Sequence, residues 1–287
     1  MLSVSFTLAS SFLQEHLEVL RKMPDMTWTP GIPSIFKDKS QQQLKSMLMH
    51  VAPISHNVEN ARYVGEAPES LDWPSLSPEC VNVLKNQEMC GSCWAFSAIG
   101  AFSDRRCISK KDSSRVHYSE EFVVTCDKID QGCNGGYLNT VWIFLQKTGT
   151  VPATCNTYKS GGGKTGVCPT ACDDGSAFPT MTKSISHKNV CTGEESMKLA
   201  LVEGPLTTGF TVYLDFQMYM GGIYSHKYGP NMGGHAVEFV GYGEENGVKY
   251  WTVKNSWGAH WGEKGYFRIV RGTNECGIEE QCFAAEV

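Results

Sequence analysis

The stretch NQEMCGSCWAFS, residues 86–97, contains two cysteines three positions apart. Such a pair occurs in dithiol redox proteins, in zinc sites and beside nucleophilic cysteines, so the pair alone does not choose between them. The residues that follow, CWAFSAIGAFSDRRC, predict a buried helix with Ser92 as its N-cap. Cys93 is then the first residue of that helix, where the helix dipole favours a thiolate.

The composition of the chain is that of an ordinary globular protein. Of its 287 residues 41% are hydrophobic and 19% are charged, which allows one large domain or two lobes. The net charge of -5 gives no basic surface for nucleic acid or an anionic membrane. No apolar run reaches the roughly 18 residues that span a bilayer. We therefore expect neither a nucleic-acid partner nor a membrane span, and a monomer.

The cysteines are distributed unevenly along the chain. All twelve lie between Cys80 and Cys282, and none is in the first 79 residues. This favours disulfides made in an oxidising compartment, with reduced and buried cysteines as the alternative. The cysteine-free N-terminal region is expected to be built differently from the rest.

The N-terminal region contains short helical patterns and a polar linker. Residues 1–11 include an apolar run that resembles a short signal peptide, although no basic residue precedes it. Residues 12–21 and 41–49 have apolar side chains at helical spacing. Residues 51–68 are polar without a clear period, and a processing cut is easiest in such a linker.

The second half of the chain has a different pattern from the first. After Gly204 the segments HAVEFVGYG, VKYWTVKNSWG and GYFRIVRG alternate or run apolar between glycine turns, which predicts strands. A helical first half and a strand-rich second half predict an α+β protein with two lobes.

A cysteine nucleophile needs a general base, and the base needs a group that orients it. His235 in NMGGHAVEF and Asn255 in VKNSWG are the candidates for these two roles. Taken alone, His235 is more typical of a satisfied core histidine and Asn255 of a turn residue. The interpretation therefore depends on finding the whole set together.

Four blocks of sequence resemble the signature motifs of the papain family of cysteine proteases. They are QEMCGSCWAFS, CNGG, GGHAVEFVGYG and NSWGAHWGEKGYF, and their order and separation agree over residues 68–287. The segments TWTPG, GPLTTGFTVYLDFQMYMGGIY and RGTNECGIEE are similar to the cathepsin B branch. The resemblance implies a two-lobed fold with a helical left lobe, a β-barrel-like right lobe and the active-site cleft between them.

The resemblance also implies a domain division. An inhibitory propeptide would cover residues 12–66 after a possible signal peptide at residues 1–11. The peptidase domain would cover residues 67–287, with the helical lobe at about 80–180 and the β-rich lobe at about 181–287. The chain would then be a zymogen whose own propeptide blocks the cleft, made for a lysosome-like acidic vesicle or for secretion.

By the same resemblance, Cys93 is the nucleophile, His235 the base and Asn255 its orienter. Gln87 would stabilise the oxyanion, Trp257 would shield the His–Asn contact, and Gly135 and Gly136 would bind the substrate backbone. The pocket for the residue two before the scissile bond would be formed by Leu138, Gly209, Ala236 and Gln281. Cofactors are not required, and the substrates would be proteins and peptides.

The resemblance pairs most of the remaining cysteines. It implies the bonds Cys80–Cys107, Cys90–Cys133, Cys126–Cys168 and Cys155–Cys172, which makes Cys90 structural. Cys191, Cys276 and Cys282 remain, and Cys191 would face Cys282 if the strand at Ile185 pairs with the C-terminal strand. A zinc site lacks a second pair of ligands, and a dithiol redox protein usually has a small α/β domain, so both readings are disfavoured. No metal site is expected.

Two departures from cathepsin B affect specificity. The insertion whose two histidines bind a substrate's C-terminal carboxylate is absent, because Asn156–Val167 reads NTYKSGGGKTGV. We therefore expect an open cleft and endopeptidase activity, with some exopeptidase activity as an alternative. Cathepsin B has a glutamate where this chain has Gln281, which predicts apolar side chains over arginine in that pocket. A one-residue shift would bring Glu280 to the floor instead.

Two other function classes are alternatives to a protease. A catalytically inactive homologue would act as a binding module, but all four catalytic positions are intact. A thiol–disulfide exchange protein would need a different fold.

Overall fold

The computed structural model describes residues 3–49 and 58–287. Met1, Leu2 and residues 50–57, which are parts of the predicted signal peptide and linker, lie outside the described residues. In the described part of the chain no helix is both long and apolar enough to cross a membrane.

The helices and strands agree in kind with the sequence patterns, but the first helix begins earlier than the pattern at residue 12 predicted. The helices are α1 (Ser3–Leu20), α2 (Gln41–Ser46), α3 (Trp73–Leu76), α4 (Pro78–Val81), α5 (Cys93–Ile108), α6 (Glu120–Cys126), α7 (Leu138–Lys147), α8 (Glu194–Val202) and α9 (Leu214–Gln217). The strands are β1 (Trp28–Pro30), β2 (Leu71–Asp72), β3 (Ser186–Asn189), β4 (Leu206–Tyr213), β5 (Tyr219–Tyr224), β6 (Asn231–Glu245), β7 (Val248–Lys254), β8 (Tyr266–Val270) and β9 (Cys282–Glu286).

The strands form one open sheet in the order β1-β5-β8-β7-β6-β4-β9-β3, with β2 added to β6. Its pairings are antiparallel except for β5 with β8. The expectation of a barrel-like lobe is corrected here, because β1 and β3 end the sheet without pairing with each other. The two-lobed α+β architecture itself is confirmed.

The helical lobe is built around α5, which is buried on nearly all sides. Its core joins α5 to α6 and α7 through Trp94, Phe122 and Trp142. Ser92 precedes the helix as predicted, but its hydroxyl does not cap it. The Oγ atom lies 2.9 Å from the hydroxyl oxygen of Tyr158 instead.

The N-terminal region packs on the β-rich lobe and shares its core. Leu17, Trp28, Phe36 and Leu44 are buried in the same apolar cluster as the sheet. Strand β1 pairs with β5 where Gly222 has a φ of 95°, and a Cβ there would lie 2.7 Å from the Cα of Trp28. Only glycine allows the two backbones to approach so closely.

The described end of the predicted linker is docked on the β-rich lobe. The N–H of Ala61 donates to the carbonyl of Asn189 (2.9 Å), and that of Tyr63 donates to the Ser196 hydroxyl (3.0 Å). The N–H of Ala67 donates to a carboxylate oxygen of Glu195 (2.6 Å). These bonds attach the segment beside β3 and α8.

Five disulfides are present, all within residues 80–282. Cys191–Cys282 joins the end of the β3 region to β9. Cys93 and Cys276 are free thiols. The other bonds are Cys80–Cys107, Cys90–Cys133, Cys126–Cys168 and Cys155–Cys172.

Candidate active site

Cys93 is the first residue of α5 and is fully buried. Backbone N–H groups near the sulfur, including those of Ala236 and Met49, act to lower its pKa and so favour the thiolate. Burial outweighs them and raises the pKa of the Cys93 thiol to about 12. The expected lowered pKa is therefore not found in this state of the chain, in which residues of the N-terminal region cover the thiol.

His235 lies in β6, and Asn255 directly follows β7, the neighbouring strand. The Nε2 atom of His235 is 2.8 Å from the Oδ1 of Asn255, and the Trp257 ring stacks on the imidazole at 4.7 Å. Burial lowers the pKa of His235 to about 4, against the Asn255 contact. Its Nδ1 has no hydrogen-bond partner among the described residues. Thiol and imidazole are therefore both neutral, and no ion pair has formed.

Gln87 is fully buried, and every polar atom of its side chain is bonded. Its Nε2 donates to the carbonyl oxygens of Met47 and Cys90, both at 2.8 Å. Its Oε1 accepts from the Ser256 hydroxyl at 2.6 Å, which fixes the amide so that Nε2 can donate to the Met47 carbonyl. The arrangement can therefore bind a peptide carbonyl.

A piece of the N-terminal region, Met47–Met49, runs through the cleft. Met49 exchanges backbone hydrogen bonds with Gly234, at 2.8 and 3.2 Å. Leu48 packs against Gly91, where a Cβ would lie 2.8 Å from its carbonyl oxygen, and against Gly233, where a Cβ would lie 3.2 Å from its Cβ. Sequence reasoning did not identify these residues, although the apolar run after α2 was the available signal.

Beside this segment is a pocket of about 150 Å³. It is lined by four of the predicted residues, Gly136, Leu138, Gly209 and Gln281. Gly135 and Ala236 are not part of the lining. Glu280, Cys276 and Met49 also line it, and sequence reasoning missed the last two.

The segment Asn156–Val167 packs against residues 87–89. It contains a single 3-10 turn at Ser160–Gly162, and the Tyr158 hydroxyl donates to the Gln87 carbonyl at 2.9 Å. Lys159 is ion-paired with Asp173 (2.5 Å), whereas Lys164 is exposed. Across residues 3–49 and 58–287 no cluster of three or more potential metal ligands is found.

Comparisons with known proteins agree with this geometry. Residues 67–286 match the model of the papain family of cysteine proteases. The chain is 46% identical to cathepsin B-like CP3 of Giardia intestinalis over 263 residues, covering 88% of this chain and 87% of that one. It is 36% identical to cathepsin B-like cysteine proteinase 4 of Caenorhabditis elegans, covering 88% and 86%.

Among solved structures, the procathepsin B S9 of Trypanosoma congolense superposes with a TM-score of 0.88 at 27% identity, covering 95% of this chain and 97% of that one. The match extends over the N-terminal region as well as the two lobes. The chain belongs to the papain family of cysteine proteases and to its cathepsin B-like group.

Proposed function

We propose that the chain is the zymogen of a cysteine endopeptidase that acts through Cys93, His235, Asn255 and Gln87. The observation that carries the proposal is the contact between the Gln87 amide and the Met47 carbonyl. A peptide carbonyl already occupies the donor that an oxyanion would need, next to the buried thiol of Cys93.

The mechanism begins when residues 12–66 leave the cleft. Water then reaches Cys93 and His235, so the burial that raises one pKa and lowers the other is relieved. The helix terminus and the backbone N–H groups around the sulfur favour the thiolate, and His235 takes the proton. Asn255 holds the imidazole by its Nε2, leaving Nδ1 free to serve the sulfur.

The thiolate then attacks the substrate carbonyl, and the Gln87 amide stabilises the negative oxygen. His235 protonates the leaving amine, which leaves an acyl group on Cys93. His235 next removes a proton from water, and the resulting attack releases the second product and restores the thiol. The Trp257 ring excludes water from the His235–Asn255 contact, since it covers one face of the imidazole.

Endopeptidase activity is favoured over exopeptidase activity by the segment Asn156–Val167. It carries no histidine, and Lys159 is neutralised by Asp173. This segment therefore lacks the histidines with which cathepsin B binds a substrate's C-terminal carboxylate. The five disulfides favour a protein of the secretory pathway, delivered to an acidic vesicle or outside the cell, and we expect a monomer.

The test is labelling of the processed chain with an epoxide that alkylates cysteine-protease thiols. Stoichiometric labelling at Cys93, with peptide hydrolysis abolished in Cys93→Ala, is expected. Asn255→Ala should lose less activity, because an orienting residue contributes less than the nucleophile. The matched control is Cys276→Ala, which removes the other free thiol and should leave labelling at Cys93 intact. Near-wild-type turnover by Cys93→Ala would refute the mechanism.

A further inference from the structure

Two buried carboxyl groups lie in the loop between α6 and α7. Asp127 is 4% exposed and Asp130 is 7% exposed. The loop continues directly into Gly135 and Gly136, the two glycines predicted to bind the substrate backbone, and then into α7. The chemistry proposed above uses neither carboxyl group.

The hydrogen bonds of the pair are complete except at one atom. Asp130 Oδ1 accepts from the Tyr137 N–H (2.9 Å), and both its oxygens accept from the Thr140 hydroxyl (2.8 Å). Asp127 Oδ1 accepts from the Ile129 N–H (2.9 Å). Asp127 Oδ2 is buried and has no partner among the described residues. A buried carboxylate oxygen without a donor is costly, so a donor is expected beside it.

The carboxyl group of Asp130 is the group that can supply this donor. The Asp130 N–H donates to Asp127 Oδ1 at 3.5 Å, so the two side chains lie close together. Burial, and then the charge of Asp127, raise the pKa of Asp130 to about 7, and burial raises that of Asp127 as well. Two carboxyl groups so close together do not readily ionise at once.

No cation takes the place of the proton in the described surroundings. Lys128, beside the pair, donates its Nζ to the Thr125 carbonyl, although its charge still lowers the pKa of Asp127. On α6, Glu121 accepts from the backbone of the 159–160 segment. From α7 the group that faces the pair is the uncharged Thr140 hydroxyl. Lys164, in the segment packed on Gly132, is exposed.

Hydrogen bonds connect the pair to both ends of the Gly135–Gly136 segment. Gln131, next to Asp130, donates its N–H to the Gly135 carbonyl at 2.9 Å. Tyr137, whose N–H Asp130 accepts, directly precedes Leu138 of the pocket. A movement of Asp130 would therefore displace both the Gly135–Gly136 segment and Leu138 in the wall of the pocket.

We propose that Asp127 and Asp130 share one proton and are positioning residues for Gly135–Gly136, so that substrate affinity falls when that proton is lost. This inference rests on the proposed function, in which Gly135 and Gly136 bind the substrate backbone. When both groups ionise, their repulsion separates them and loosens the loop between α6 and α7.

The experiment measures KM and kcat of the processed enzyme between pH 6 and pH 8 on an amide-blocked peptide. A group with a pKa of about 7 goes from about nine-tenths protonated to about nine-tenths ionised over this range, so KM should rise by up to about tenfold. In Asp130→Asn the amide donates to Asp127 without titrating, and its KM should stay flat. Asp127→Asn, a second variant should the first not fold, should flatten KM as well. The control Asp174→Asn, at an exposed residue, should keep the wild-type rise.

Unfolding of the uncut Cys93→Ala chain against pH separates the two proposals. The folded pKa of Asp130 is above its unfolded value, so its stabilisation is present below about pH 4 and is lost as pH rises to about 7. The Asp130→Asn form of this chain should lack that slope. If no peptide is hydrolysed, the proposed function fails, and this slope still decides whether the proton is shared. If the enzyme is active but Asp130→Asn follows the wild type in both KM and unfolding, the positioning pair is refuted.

Discussion

Removal of residues 12–66 should raise the alkylation rate of Cys93 by at least about a thousandfold at pH 7. In the zymogen the Cys93 pKa is about 12, against an ordinary value of 9.0. The thiolate fraction at pH 7 is therefore about one in 10⁵ in the zymogen and about one in a hundred for an ordinary thiol. Only the thiolate reacts, and proton transfer to His235 in the opened cleft adds further to the ratio.

The assay treats the uncut and the processed chain with iodoacetamide at pH 7 and follows the Cys93 peptide by mass spectrometry. Both forms carry Cys276→Ser, because Cys276 is the other free thiol. A parallel Cys93→Ser sample gives the background. If the uncut chain is alkylated within about tenfold of the processed rate, burial by the N-terminal region does not control the thiol and the reasoning fails.

Three further predictions concern the cleft and the propeptide. A peptide with an amidated C-terminus should be cut about as fast as its free acid, and a strong preference for the acid that Lys164→Ala abolishes would assign the carboxylate to that lysine. Acid should speed zymogen processing. The Ala67 N–H and Lys198 lower the pKa of Glu195, so the hydrogen bond from Ala67 to this carboxylate is present above about pH 4.5 and is lost on acidification. Glu195→Gln should flatten the processing rate between pH 3 and 5, whereas the control Glu286→Gln, at an exposed residue, should not. Gln281→Glu should raise the cleavage of peptides with arginine two residues before the scissile bond, relative to peptides with leucine there, by roughly tenfold, for one charge-assisted contact of about 1–2 kcal/mol. An unchanged arginine-to-leucine ratio would show that Gln281 does not contact the substrate.

The fold and the grouping of the candidate site residues could be predicted because their signals are local. Cys93, His235 and Asn255 each lie inside a long motif, at a helix start, in β6 and directly after β7 respectively. The pairing of β6 with β7 then brings His235 and Asn255 together. The protonation state could not be predicted, because it depends on the burial produced by residues 47–49, which are more than 40 positions from Cys93 in sequence.

The pocket floor shows a second limit of sequence reasoning. Alternation along a strand would place Glu280 and Gln281 on opposite faces. Both line the pocket, because β9 begins only at Cys282. The preceding turn has φ of 54° at Cys276 and 78° at Gly277, so a strand periodicity does not apply there. Asn274 donates to Glu280 at 2.9 Å and holds that carboxylate to its own loop.

In the proposed function, the segment Met47–Met49 inhibits by making contacts that a substrate would use. The Met47 carbonyl bonds the Gln87 amide, and Met49, two residues later, lines the pocket with Gln281. Because the propeptide and the substrate share these contacts, a variant of Gln87 that weakens oxyanion binding also weakens the hold of the propeptide on the cleft.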